Sequence, residues 1–173
     1  MKEIRSRIGI GDCLLCSCYF DSATEDCVLF QEVSLRTAAS LLRYAEKRQG
    51  ARVLQDCDVA FENGDYVRSG IVFVREHRRG IIGKRKMHGA PDLAVEIACE
   101  CSARELRTKK RIYSELKVRE IWIVYPESET VKVLAWTEAG YVVIGRYGRS
   151  ARIRSPLLPD LILPLSGIFR RDE

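Results

Sequence analysis

Hydrophobic and polar positions along this chain follow two periods, and the order in which they alternate outlines a fold. From Ser34 to Gln49, "SLRTAASLLRYAEKRQ", Leu35, Ala38, Ala39, Leu42 and Ala45 recur at the spacing of a helix with one apolar stripe. Ser34 can cap its start, and Gly50 stands just past its end. Two β-rich runs follow at about 52–61 and 66–75, joined by Glu62-Asn63-Gly64-Asp65. Asn-Gly between such runs predicts a hairpin. "PDLAVEIAC" is nearly continuous in apolar residues, as expected of a central strand covered on both faces. Ser102 and Glu105 then make a capping-box start for a helix running to about Lys117. "EIWIVYP" is a second central-type strand, stopped by Pro126 and placed to pair in parallel with the Asp92–Ala98 strand through a right-handed crossover. A hairpin over "TVKVLAWTEAGYVVIGRYG" turns at Glu138-Ala139-Gly140. The tail "SPLLPDLILPLSGIF", with its prolines, is expected to wrap the core in extended form. This order predicts an α/β fold, a mixed sheet flanked by helices.

Length and composition narrow the class. At 173 residues the chain fits a single domain, read here as a cysteine-rich segment over 1–33 and a core over 34–169. A composition that is 46% hydrophobic and 31% charged excludes disorder. No apolar run approaches the roughly eighteen residues that cross a bilayer, and the opening lacks the apolar core of a secretion signal, so a cytoplasmic location is expected.

Seven cysteines are an odd number, and four of them, Cys13, Cys16, Cys18 and Cys27, crowd one short stretch. Free thiols in a reducing compartment are the expectation. Zinc on these four is disfavoured, because structural zinc sites pair two separated knuckles and this is one cramped cluster. Cys16, Cys18 and Phe20 also fit one face of a strand.

The net charge of +5 is modest, but its distribution is uneven. Arg75, Arg78, Arg79, Lys84, Arg85 and Lys86 fall within "REHRRGIIGKRK", whose two glycines suggest a mobile loop able to neutralise several phosphates. A solvated basic hairpin end would look the same.

The acids in the third strand are the sharper signal. Alternation puts Asp92, Ala94, Glu96 and Ala98 on one face and Leu93, Val95 and Ile97 on the other. An ionised carboxylate in a central strand is costly unless it is paired, metal-bound or solvated, so Glu96 needs a partner. Asp92, just after a proline, reads more simply as the anchor of the preceding turn. The two carboxylates are four residues apart, roughly 13 Å along a regular strand, so a second strand would have to complete any metal site. Two carboxylates holding Mg²⁺ beside a lysine or arginine would make a phosphodiester site.

"GAPDLAVEI", "RELRTKKRIYSELKVREIWIVYP" and "SPLLPDLILPLSGIF", in that order, resemble the Uma-two family of restriction-endonuclease-like PD-(D/E)XK proteins over roughly 34–169. The resemblance implies a DNA endonuclease dependent on Mg²⁺ or Mn²⁺, with Glu96 as metal ligand, Lys109 as the catalytic lysine moved to the helix, and Glu105 one turn before it. It also implies that a homodimer can form. The family's other metal-binding Asp corresponds to Gly70, in "SGIVFV", which leaves Asp65, Asp58, Glu62 or Asp92 as carboxylates that could substitute. Three readings therefore stand: a metal-dependent nuclease, a catalytically silent nucleic-acid-binding or assembly module on the same fold, and a thiol-based metal or redox protein.

Overall fold

The computed structural model describes residues 26–47, 50–61, 66–98 and 103–170. A long helix, α1 (Asp26–Glu46), leads into the antiparallel strands β1 (Arg52–Ala60) and β2 (Tyr66–Val74). A 3₁₀ helix over Glu76–Ile81 and the short strand β3 (Met87–His88) precede β4 (Leu93–Ile97). Helix α2 (Ala103–Glu115) crosses over to β5 (Glu120–Tyr125), which is followed by the hairpin β6 (Thr130–Thr137) and β7 (Gly140–Gly148). The tail adds β8 (Arg152–Ile153), β9 (Leu163–Pro164) and the single turn α3 (Leu165–Ile168). One seven-stranded sheet runs β3-β1-β2-β4-β5-β6-β7, with β4 and β5 parallel at its centre. The mixed, helix-flanked sheet is the architecture that the sequence pattern predicts.

The period-two reading of β4 holds residue by residue. Leu93, Val95 and Ile97 pack with α1 and the tail on one side, together with Trp122, Leu158, Leu165 and Phe169. Ala94 and Ala98 face the other side, with Leu106, Ile112 and Tyr113 of α2. The small alanines let α2 lie close over β4 on either side of Glu96.

Three local expectations change. Helix α1 begins at Asp26, well before Ser34, because the apolar stripe continues back through Leu29, Phe30 and Val33. The buried stripe is correspondingly Val33, Thr37, Ala38, Leu41 and Ala45, while Leu35 and Leu42 are exposed. Thr37 occupies the core-facing stripe because its hydroxyl donates to the Val33 carbonyl at 2.7 Å, so no polar group is left unpaired. Ser34, inside the helix, is bonded by the Gln55 side chain at 3.3 Å. The first half of the basic stretch is a 3₁₀ helix, Glu76–Ile81, tied to the body rather than a loose loop, for reasons given by Asp92 below. The tail does pack along the core, but through a β8–β9 pair and a helical turn as well as extended chain.

The β1–β2 ribbon also breaks the simple alternation. Val72 and Val74 face α2, and so do Val67 and the Ser69 hydroxyl, so the parity of β2 reverses at Ser69–Gly70. Opposite this point Asp56 has a left-handed backbone, φ 48°, and the pairing steps from Gln55–Ile71 to Cys57–Ser69. The reversal lets two consecutive positions, 69 and 70, approach the same face of β4.

Asp92 is fully buried where β2 hands over to β4. Its carboxylate accepts the Arg75 backbone N–H at 2.9 Å and the Arg78 guanidinium at 3.0 Å, while Arg78 also donates to the Ala90 carbonyl at 2.7 Å. This matches the turn-anchor reading, and it uses Arg75 and Arg78 inside the structure. Asp92→Ala leaves a half-buried arginine and a backbone N–H without their acceptor. It should cost about 2–3 kcal/mol, less than a fully buried ion pair because Arg78 is partly exposed. Thermal denaturation should show this as a midpoint lower by roughly 5–10 °C, with a smaller loss for Asp92→Asn; an unchanged midpoint would remove the anchor role.

Candidate active site around Glu96

Glu96 lies on the α2 side of the central strand and is 2% exposed. Three side chains from two elements converge on its carboxylate. From α2, the Lys109 ammonium donates to Oε2 at 2.8 Å, and the Tyr113 hydroxyl one turn later donates to Oε1. From β2, the Ser69 hydroxyl reaches Oε1 at 3.4 Å. Glu105, one turn before Lys109, approaches the ammonium at 3.5 Å. The i, i+4 spacing along α2 stacks Glu105, Lys109 and Tyr113 on the helix face that covers β4. That face exists because Leu106, Ile112 and Tyr113 bury against the sheet.

The electrostatics follow from this enclosure. Burial alone would push the Lys109 pKa down, yet the Glu96 carboxylate beside it, and then Glu105, outweigh burial and hold it above the ordinary lysine value. Burial first, and then the negative charge on Glu96, raise the Tyr113 hydroxyl well above its usual range. Burial also raises the Glu105 carboxyl, opposed by Lys109. Lys109 is therefore a cation and Tyr113 a neutral donor at neutral pH.

Among the described residues, no buried side-chain nitrogen or oxygen lacks a hydrogen-bond partner.

Position 70 completes the geometry. One step on from the Ile71–Val95 pair, Gly70 stands opposite Glu96 across the β2–β4 ladder. A Cβ built there would lie 3.8 Å from Glu96 Oε2 and 3.0 Å from the Val95 carbonyl oxygen. It is the backbone point from which a second carboxylate would reach Glu96.

The model of the Uma2 family, described as "Putative restriction endonuclease", matches residues 30–166. The chain belongs to the Uma2 family. A similar solved structure is that of a "putative nuclease belonging to DUF820" from Anabaena variabilis, 15% identical, with a TM-score of 0.65 over 82% of this chain and 80% of that one. At that identity the likeness speaks for the fold alone. No curated protein matches.

In this Uma2 protein the side chains around Glu96 do not fit a divalent cation. Mg²⁺ and Mn²⁺ want several oxygen ligands, usually with more than one carboxylate. Among the described residues no three of His, Cys, Asp and Glu converge on one point. Both oxygens of Glu96 already accept bonds. Of the other acids that could contribute, Asp92 is held by Arg75 and Arg78, and Asp58 pairs with Arg68 at 2.8 Å. Asp65 and Glu62 lie outside the described residues, as do Cys13, Cys16, Cys18 and the Cys27 side chain.

Tyr113 and Ser69 were not legible as Glu96 partners. Glu120 was also missed. It is buried on the opposite face, accepting Trp122 Nε1–H at 2.6 Å and the Leu157 N–H at 3.3 Å. An acid opening an otherwise buried strand was the available signal. Arg75 donates to the Leu157 carbonyl at 2.7 Å, so this group fastens the tail to β5.

The linkage between Tyr113 and stability has a definite sign. An unfolded tyrosine ionises near pH 10, whereas the folded one stays protonated, so the stabilisation is complete below pH 10 and is lost as pH rises above it. Lys109, also raised, contributes in the same direction from about pH 10.5 upward. Urea denaturation between pH 8 and 11 should show the Tyr113 contribution flat up to about pH 10 and then falling towards a limiting slope of about 1.4 kcal/mol per pH unit. Tyr113→Phe should start about 1.5–3 kcal/mol lower at pH 8, having lost a bond to a charged acceptor, and decline less steeply; an equal slope for both proteins would show that Tyr113 ionises freely.

Proposed function

We propose that this Uma2 protein is a DNA-binding module on a restriction-endonuclease-like fold. In it Glu96 and Lys109 persist as a buried charge pair, and phosphodiester cleavage is lost with the carboxylate absent at Gly70. The observation that carries the reading is Gly70 itself: it faces Glu96 from the neighbouring strand and has no side chain. A metal on Glu96 that polarises a phosphate would take a second carboxylate, and strand spacing means β2 rather than β4 would have to supply it. Here one strand supplies Glu96 and the other supplies only the Ser69 hydroxyl. The family description supports a nucleic-acid partner. Arg79, Lys84 and Arg85 are exposed and Lys86 is half-buried, so this stretch keeps cations able to meet phosphates even though Arg75 and Arg78 are engaged within the fold.

The retained Lys109–Glu96 contact at 2.8 Å favours a second reading, an active Mg²⁺-dependent DNA endonuclease in which Lys109 offsets charge developing on the phosphate. Supercoiled plasmid incubated with Mg²⁺ or Mn²⁺ separates the two. Wild type should nick no faster than Glu96→Ala while still retarding duplex DNA at low salt. Gly70→Asp should gain cleavage at least tenfold above wild type, provided that its melting shows the Val95 carbonyl has accommodated the new side chain. Cleavage by wild type that Glu96→Ala abolishes would establish the endonuclease instead.

A further inference from the structure

The strand register extends the Glu96 centre sideways across the sheet. Glu96 is paired with Ile123 of β5, Ile123 with Lys132 of β6, and Lys132 with Arg146 of β7. Directly paired residues share a face, so Lys132 and Arg146 lie on the α2 side of the sheet in the same row as Glu96. At about 4.8 Å per strand they stand roughly 10 and 14 Å from it. This row lies near the carboxyl ends of the parallel β4 and β5, where ligands of open α/β sheets characteristically bind.

Two like charges directly opposite each other are unfavourable unless something neutralises them. No ion pair to either cation is found among the described residues, although the neighbouring Arg149 is paired with Glu129 at 3.0 Å. Lys132 is steadied instead by the face of Tyr125, 4.6 Å from its ammonium to the ring centre. Lys132 and Arg146, with Thr130, Val131, Tyr147 and Gly148, line a cavity of about 190 Å³. A positioned pair of cations beside a concavity, without a protein counter-ion, is a place prepared for an anion.

We infer that Lys132 and Arg146 form a phosphate-binding row that holds the backbone of duplex DNA beside the Glu96 centre. The occupant follows from spacing as well as charge. Lys132 and Arg146 are cross-strand partners one strand apart, about 4.8 Å, and phosphates of one strand advance about 3.4 Å along the duplex axis, so the two cations can each meet one of two successive phosphates. This inference rests on the DNA-binding reading above and assigns it a specific contact surface.

The test is the salt dependence of binding to a fluorescein-labelled duplex, for wild type, Lys132→Gln/Arg146→Gln, and a control pair, Arg52→Ala/Arg119→Ala, that removes the same charge elsewhere on the exposed surface. Each phosphate contact contributes about 0.9 to the slope of log K against log salt. The row variant should therefore lose nearly two units of slope and bind about ten- to a hundredfold more weakly at 0.1 M salt, while the control pair keeps the wild-type slope within half a unit. A row variant within twofold of wild type at unchanged slope, or a loss matched by the control pair, would overturn the row and leave DNA binding standing. A wild type that binds no duplex at low salt would overturn both. Thermal melting of each variant, together with retained binding by Lys132→Arg/Arg146→Lys, guards against a loss caused by misfolding.

Discussion

A carboxylate buried in a central strand is the constraint to which the surrounding structure answers. Glu96 sits where both faces of the sheet are covered, and an ion there is tolerated only with close, well-aligned partners. The crossover helix delivers two of them a turn apart, Lys109 and Tyr113, and β2 delivers Ser69. Each depends on a local feature of the sequence. Ala94 and Ala98 leave room for α2, the apolar stripe of α2 fixes which of its residues face down, and the parity reversal opposite Asp56 turns Ser69 inward. Loosening any of these would leave a charge stranded.

The same arrangement explains why Gly70 is consistent with its surroundings. Glu96 and Glu105 already share a single ammonium. A further carboxylate at position 70 would add negative charge beside Glu96, which only a bound cation could readily balance. With glycine there, one lysine and two hydroxyls complete the neighbourhood of Glu96 without a metal ion. The family's fold is thereby kept with Glu96 satisfied from within the chain, and Lys132 and Arg146 lie on the same face of the sheet.

Much of this was legible in the chain because it depends on short-range periodicity. Two-residue alternation placed Glu96 and its alanines on one face and Leu93, Val95 and Ile97 on the other. Helical spacing placed Glu105 one turn before Lys109, and the Pro-Asp start of β4 marked a turn anchor. What was not legible depends on tertiary choice. The start of α1 and the rotation of its stripe from Leu42 to Leu41 are decided by what the sheet and tail present. That Arg75 and Arg78 serve Leu157, Ala90 and Asp92 cannot be read from a basic run, which looks alike whether its charges turn inward or outward. The Lys132–Arg146 row appears only once four strands are in register.

The central claim is that the Glu96 centre is complete without a metal ion. It is tested most directly by crystals of the wild-type protein grown in millimolar Mn²⁺, with anomalous difference maps calculated around Glu96. The account predicts no Mn²⁺ peak within coordination distance of Glu96, with Lys109 and Tyr113 still bonded to its two oxygens. A well-occupied Mn²⁺ on Glu96, with a second protein oxygen completing its shell, would contradict it.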